Sequence, residues 1–117
     1  MKFTLPFCLA LVTYITPAFA GGVEAKVNIE YADGKSDSIT THPHTGCHDT
    51  GEPKTKVNKI DVIQSGDARP KCIFYKDPGC KGDKWTIEVP KSAEDGKKTQ
   101  KFSRPFYVAS LECVKAE

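Results

Sequence analysis

The segment CIFYKDPGCKGDKW, residues 72–85, decides how this chain is interpreted. Its cysteines, Cys72 and Cys80, enclose an aromatic pair and an Asp-Pro-Gly turn. Two thiols at this spacing suit a metal site, a redox pair or structural disulfides. The rest of the sequence discriminates between these three readings.

The N-terminus predicts a secretory signal peptide over residues 1–20. Lys2 supplies a short positive region, FTLPFCLALVTYIT supplies an apolar core, and AFA ends it with the small residues that a signal peptidase reads. The core is short and is interrupted by Pro6 and Pro17, so it does not suit a membrane span. We therefore expect a secreted, extracellular protein with no permanent membrane association.

Removal of this signal peptide leaves 97 of the 117 residues, which predicts a single domain over residues 21–117. Because Lys2 leaves with it, 16 basic residues remain against 15 acidic ones. A balance so close to neutral argues against nucleic acid as a partner, and the one basic run is KKTQKFSR at residues 97–104. We expect a monomer.

Four cysteines remain in the predicted mature chain, namely Cys47, Cys72, Cys80 and Cys113. An even number in a small secreted domain predicts two disulfides, each of which typically contributes about 2–4 kcal/mol of stability. The thiols of the opening segment are therefore interpreted as structural. Their spacing alone leaves the connectivity open.

Apolar and polar residues alternate in several short segments bounded by turn clusters, the pattern typical of β-strands. The residues that share one face in these segments are Val27, Ile29 and Tyr31; Ile60 and Val62; Trp85, Ile87 and Val89; and Leu111 with Cys113. No segment of ten residues has helical periodicity. The sequence predicts an all-β fold of seven or eight strands in two small sheets, with a weak internal repeat over about 23–66 and 67–117.

All three histidines, His42, His44 and His48, fall in the loop segment HPHTGCHD beside Cys47 and Asp49. Imidazoles and carboxylates suit zinc or copper. The Cys47 thiol is expected to be oxidised, however, and no second cluster of ligands appears elsewhere. We expect neither a metal site nor a cofactor.

No residue pattern predicts catalysis. No serine stands in a nucleophile elbow, and cysteine–histidine chemistry would need a free thiol. His48 with a remote carboxylate such as Glu88 could perform acid–base work, but nothing in the spacing selects that pair. We expect a protein that is not an enzyme.

The segment IFYKDPGCKGDKWTIEV resembles the β/γ-crystallin Greek-key motif. Tyr75 matches the aromatic strand end, with Phe74 before it, and Gly82 matches the motif glycine. Cys80 stands where the family usually has Phe or Tyr. Ser110, in ASLECV, matches the serine that begins the closing strand. Trp85 completes the set, and the match covers about residues 71–115.

This resemblance implies a β/γ-crystallin-like Greek-key sandwich in which residues 72–85 fold back as a hairpin. It also implies that Cys72 pairs with Cys113 on a neighbouring antiparallel strand, and that Cys47 pairs with Cys80. The next alternative is Cys47–Cys72 with Cys80–Cys113. The family's calcium signature has no counterpart in residues 106–110, which carry no carboxylate.

Together with the signal peptide and the four cysteines, the motif makes the chain look like small secreted β/γ-crystallin-like proteins of filamentous fungi. This implies a non-enzymatic effector or elicitor-like protein that binds a host or cell-surface component, either an extracellular protein or a cell-wall polysaccharide. The alternative is an antimicrobial or killer-toxin-like protein that acts on membranes or cell walls. The candidate binding surfaces are the histidine loop and the basic run, comprising His42, His44, His48, Lys97, Lys98, Lys101 and Arg104, with Phe106 and Tyr107 beside the basic run.

Overall fold

The computed structural model describes residues 23–43, 46–51 and 53–116, which form β-strands and no helix. The predicted signal peptide lies outside these residues. The strands are β1 Ala25–Tyr31, β2 Ser36–Thr41, β3 His48–Asp49, β4 Val57–Gln64, β5 Pro70–Asp77, β6 Lys81–Glu88, β7 Lys97–Lys101 and β8 Ser110–Lys115. The all-β prediction is confirmed. Within the described ranges there is thus no helix that could cross a membrane.

The strands form two four-stranded antiparallel sheets. The first sheet has the order β2-β1-β4-β7 and the second has the order β3-β8-β5-β6. In each half of the chain, the first, second and fourth strands stay in one sheet and the third strand joins the other. Each half therefore completes the sheet of the other half.

The core lies between the sheets and is built from the alternating residues. In the first sheet Val27 faces Val62, and Ile29 faces Ile60, with all four side chains buried. The second sheet contributes the cross-strand pair Phe74 and Leu111, both also buried. Cys72, Ile87 and Cys113 of the same sheet also have buried side chains in this core. Burial of such side chains is the main favourable term in folding.

The disulfides are Cys72–Cys113 and Cys47–Cys80, the pairing that the crystallin resemblance implies. The alternative pairing is wrong. Cys72 and Cys113 face each other on β5 and β8 with their Cα atoms 4.0 Å apart, and both are buried. Cys47 lies at the surface just before β3 and joins that strand to the β5–β6 turn.

The β5–β6 turn is fastened to its own sheet by Ser110. The buried Ser110 hydroxyl donates a hydrogen bond to the Asp77 carbonyl oxygen over 2.6 Å and accepts one from the Cys80 N–H over 2.8 Å. Gly79, Cys80 and Gly82 all have positive φ, which is unusual for the cysteine. The turn thus combines an unusual backbone with an anchoring hydroxyl.

The corresponding β1–β2 turn is simpler. The Tyr31 N–H donates to the Lys35 carbonyl oxygen over 2.9 Å, and only Gly34 in this turn has positive φ. Val57 faces Tyr31 across the sheet, where Ser110 faces Tyr75 in the second half. The first half therefore has no hydroxyl at the position that fastens the β5–β6 turn.

Ser110→Ala should lower the free energy of unfolding by about 1–3 kcal/mol, because it removes two part-buried hydrogen bonds that each contribute about 0.5–1.5 kcal/mol. Urea denaturation with the disulfides intact measures this loss. Ser38→Ala is the matched control, since Ser38 is exposed on β2, and we expect it to change stability by less than about 0.5 kcal/mol. Equal effects of the two variants would contradict the role assigned to Ser110.

A mild reductant should open Cys47–Cys80 before Cys72–Cys113, because thiol–disulfide exchange requires access to a sulfur atom. Cys47 is exposed, whereas both members of the second pair are buried. Stepwise reduction, alkylation of free thiols and peptide mass spectrometry would follow the order. Early labelling of Cys72 and Cys113 would contradict this expectation.

Candidate binding groove

Trp85 is the one large hydrophobic residue among the described residues that is exposed, with 43% of its surface accessible. It shares its face of β6 with Ile87 and Val89, as the alternation predicts, and those two side chains are buried. β6 is an edge strand of the second sheet, so no further strand covers the indole. Trp85, assigned to the fold motif from sequence, therefore lies at the open side of the sandwich.

Two phenylalanines hold the Trp85 ring in place. Phe102 and Phe106 stack with ring centroids 4.5 Å apart and an interplanar angle of 7°. The indole meets both rings edge-on, at centroid distances of 5.5 Å from Phe102 and 6.0 Å from Phe106. Stacked and edge-on arrangements are the ones that aromatic quadrupoles favour, and each pair adds about 0.5–1.5 kcal/mol.

Backbone hydrogen bonds fasten the two phenylalanines to β4. The Phe102 N–H donates to the Asn58 carbonyl oxygen over 2.9 Å, and the Val57 N–H donates to the Phe106 carbonyl oxygen over 2.8 Å. The stretch from Phe102 to Phe106 is thus anchored at both ends to the first sheet. The three rings therefore bridge the edges of the two sheets as one packed cluster.

A groove of about 440 Å³ opens beside this cluster, within the range of about 300–1,000 Å³ typical of ligand sites. We call it the aromatic groove. Its lining residues are Trp85, Gln100, Lys101, Phe102, Ser103, Arg104, Pro105 and Phe106. A neighbouring hollow of about 220 Å³ shares Pro105 and Phe106 and is also lined by Lys76, Asp83 and Tyr107.

The aromatic groove carries positive charge. Lys101 and Arg104 are both exposed, and within the described part of the chain neither forms an ion pair. None of the eight lining residues is acidic. Two cations without protein carboxylates leave this groove complementary to an anionic ligand.

The structure divides the predicted basic surface. Lys101, Arg104 and Phe106 line the aromatic groove, while Tyr107 lines the neighbouring hollow. Lys97 and Lys98 lie further along β7, opposite Ile63 and Val62. The sequence interpretation did not include Trp85 in this surface, because the alternation indicates which face a residue occupies but not whether another strand covers it.

The predicted histidine surface is described only in part by the structure. His42 follows β2 and is exposed, with its Nδ1 3.8 Å from the Glu24 carboxylate. His48 lies in β3, an edge strand of the other sheet, and His44 lies outside the described residues. Within the described ranges, no three His, Cys, Asp or Glu side chains are grouped in a way that could hold a metal ion.

The pair of His48 and Glu88 is not brought together either. β3 and β6 are the opposite edges of the second sheet, so three strand spacings, roughly 14 Å, separate them. Glu88 instead accepts a hydrogen bond from the Arg69 guanidinium over 3.3 Å. On the outer face of this sheet, burial and then the Glu112 carboxylate raise the pKa of the Tyr75 phenol.

Comparison of the chain with family models, with curated proteins and with solved structures gives no match. The groove, in which an exposed indole lies beside two cations with no ion-pair partner among the described residues, is therefore the feature that indicates a function.

The fluorescence of Trp85 should be quenched more by iodide than by caesium, each relative to free N-acetyltryptophanamide, because Lys101 and Arg104 attract anions. Trp85 is the only tryptophan of the chain, so the signal is unambiguous. Added inert salt should reduce the difference between iodide and caesium quenching, because it screens the two cations. Arg104→Gln should also reduce this difference, whereas Lys26→Gln, on the outer face of β1, should leave it unchanged. Equal quenching by both ions would contradict a cationic groove.

Proposed function

We propose that this protein is a non-enzymatic secreted binding module, effector or elicitor-like, which acts outside the producing cell on a host or cell-surface component. The aromatic groove is its binding surface. The observation that carries the proposal is the half-exposed Trp85, held by Phe102 and Phe106 beside the unpaired cations Lys101 and Arg104.

The composition of the groove supports a role in binding. Tryptophan and arginine are enriched among the residues that contribute most to the affinity of protein interfaces. Leaving apolar surface in water costs about 25 cal/mol per Å², so an exposed indole gives up stability that burial would have provided. A rigid aromatic cluster also loses little conformational entropy when it contacts a ligand.

We propose that the fold is a β/γ-crystallin-like Greek-key sandwich. Two observations support this. The fourth strand of each half returns to lie beside the first while the third crosses to the other sheet, and the β5–β6 turn is folded onto the hydroxyl of Ser110. Cys80 replaces the aromatic of the family motif and is bonded to Cys47, so a covalent link takes the place of ring packing.

Secretion is part of the same proposal. Disulfides form and persist mainly in oxidising compartments, and a domain of this size gains much of its stability from them. Both bonds of this chain are consistent with an extracellular protein. Fusion of residues 1–20 to a reporter that lacks its own leader, followed by assay of the culture medium, tests the predicted signal peptide.

Trp85→Ala should lower the affinity of the protein for cells or cell-wall material by about tenfold or more, because loss of a central aromatic side chain typically has this effect. The measurement is retention of labelled protein, with its disulfides intact, on intact cells and on isolated cell-wall material. Thr86→Ala is the matched control, because Thr86 is exposed on the opposite face of the same strand. Melting temperatures of both variants verify that each remains folded.

Retention of Trp85→Ala at the level of the unmodified protein would contradict the proposal. Inhibition of yeast or bacterial growth by the purified protein, lost in Trp85→Ala, would assign the groove to the antimicrobial or killer-toxin-like alternative.

A further inference from the structure

We infer that the aromatic groove binds a polysaccharide of uronic acids, a chain of pyranose rings that each carry a carboxylate. This inference rests on the proposed binding function and names the chemical class of its ligand. Three features of the groove support it: an indole with a free surface, two unpaired cations beside it, and one further cation, Lys98, on the side of β7 that carries Gln100.

The indole is suited to a sugar ring. One face of a pyranose presents several C–H groups, which are apolar and weakly positive, and the face of an aromatic ring is negative. Trp85 has 43% of its surface accessible, while Phe102 and Phe106 hold it in one orientation. A ring held in this way presents a fixed platform on which a flat sugar face can stack.

The two cations of the groove favour a sugar that carries a negative charge. A planar guanidinium donates two parallel hydrogen bonds to a carboxylate, and such charge-assisted bonds are roughly twice as strong as those to the neutral hydroxyls of an uncharged sugar. Arg104 supplies this group and Lys101 adds a second charge. Gln100 and Ser103 line the same groove and provide polar groups of the kind that bind sugar hydroxyls.

The direction of β7 favours a polymer over a single sugar. Lys98 and Gln100 lie opposite the inward-facing Val62 and Ile60, so both belong to the same side of β7. Lys98 is therefore about 7 Å along the strand from Gln100, which lines the groove. Of the four cations between positions 97 and 104, Lys98 thus extends the charge of Lys101 and Arg104, whereas Lys97 lies on the other side of β7, opposite Ile63. A chain with a carboxylate on every ring matches this extended charge.

Two other anionic partners fit less well. A bilayer is met by convex surfaces with several exposed apolar side chains, whereas this site is concave and Trp85 is the sole exposed large hydrophobic residue among those described. An acidic peptide would most readily add a strand to the free edge of β7. That edge carries Lys97, Lys98 and Lys101, and edge lysines disfavour strand addition.

The test is titration of the intact, disulfide-bonded protein with an oligogalacturonate of defined length, followed by calorimetry and by Trp85 emission. The unmodified protein should bind it and change its emission. Full methyl esterification of the same oligomer should weaken binding about tenfold or more, because it removes the charge and keeps the rings. A sulfated glycan of similar length is the competing polyanion in this test, because a guanidinium also forms paired hydrogen bonds with tetrahedral oxyanions.

Variants separate stacking from charge. Trp85→Ala should abolish binding of both the acid and the ester, because it removes the platform. Arg104→Gln should weaken only the acid, by about tenfold, and Lys98→Gln should weaken long oligomers more than short ones. Lys26→Gln removes a cation from the outer face of β1 and is the matched control, with unchanged affinity expected.

Equal binding of the acid and its ester would overturn the inference, as would tighter binding of the sulfated glycan. Trp85-dependent binding of phosphatidylserine vesicles or of an acidic peptide, without binding of oligogalacturonate, would also overturn it. In these cases the proposed binding function of the groove would still hold if Trp85→Ala were retained less than the unmodified protein on cell-wall material or cells. The proposed function would be contradicted too if Trp85→Ala were retained as well as the unmodified protein.

Discussion

The pairing of β7 with β4 determines where the groove forms. β7 follows β6 in sequence, yet it completes the sheet of the other half of the chain. The segment from Phe102 to Phe106 must therefore return from the first sheet to β8 in the second, and it passes the open side where Trp85 emerges from β6. The aromatic rings meet there because β7, the third strand of the second half, belongs to the sheet of the first half.

The two strands that join the sheet of the other half, β3 and β7, are held by ladders of different lengths. β7 has five residues in its ladder with β4, whereas β3 has only two residues paired with β8. Other bonds compensate for the short ladder of β3. Thr50 binds the last loop before β8 through its N–H to the Ala109 carbonyl oxygen and through its hydroxyl to the Val108 carbonyl oxygen. The Cys47–Cys80 disulfide adds a covalent link just before β3. The strand with the shorter ladder is therefore the one that carries a cross-link.

Local sequence pattern predicted much of the fold. The period of two placed Val27, Ile29, Ile60 and Val62 in the core, because each strand has one face against the opposing sheet. The same period grouped Trp85 with Ile87 and Val89, although Trp85 is exposed. Whether a strand is central or at an edge depends on pairing between distant segments, and a local pattern does not contain that information.

The candidate site was predictable only in part, for a related reason. The basic run indicated Lys101, Arg104 and Phe106, which are close in sequence and line one groove. The histidines are also close in sequence, but His42 follows β2 of the first sheet and His48 lies in β3 of the second. Proximity along the chain thus indicates which side chains meet within one segment, whereas it does not specify which side chains meet where the chain crosses between sheets.

The contrast between the two turns bears on how freely the chain can change. The β5–β6 turn needs left-handed backbone at Gly79, Cys80 and Gly82, a hydroxyl at Ser110 and a half-cystine, so most substitutions there disturb several bonds at once. The β1–β2 turn has one left-handed residue, Gly34, and its ends are held by the Ala32 N–H on the Lys56 carbonyl oxygen and by the Lys35 N–H on the Asp33 carboxylate. Engineered insertions should therefore be tolerated better at the exposed tip, residues 33 and 34, than in the β5–β6 turn.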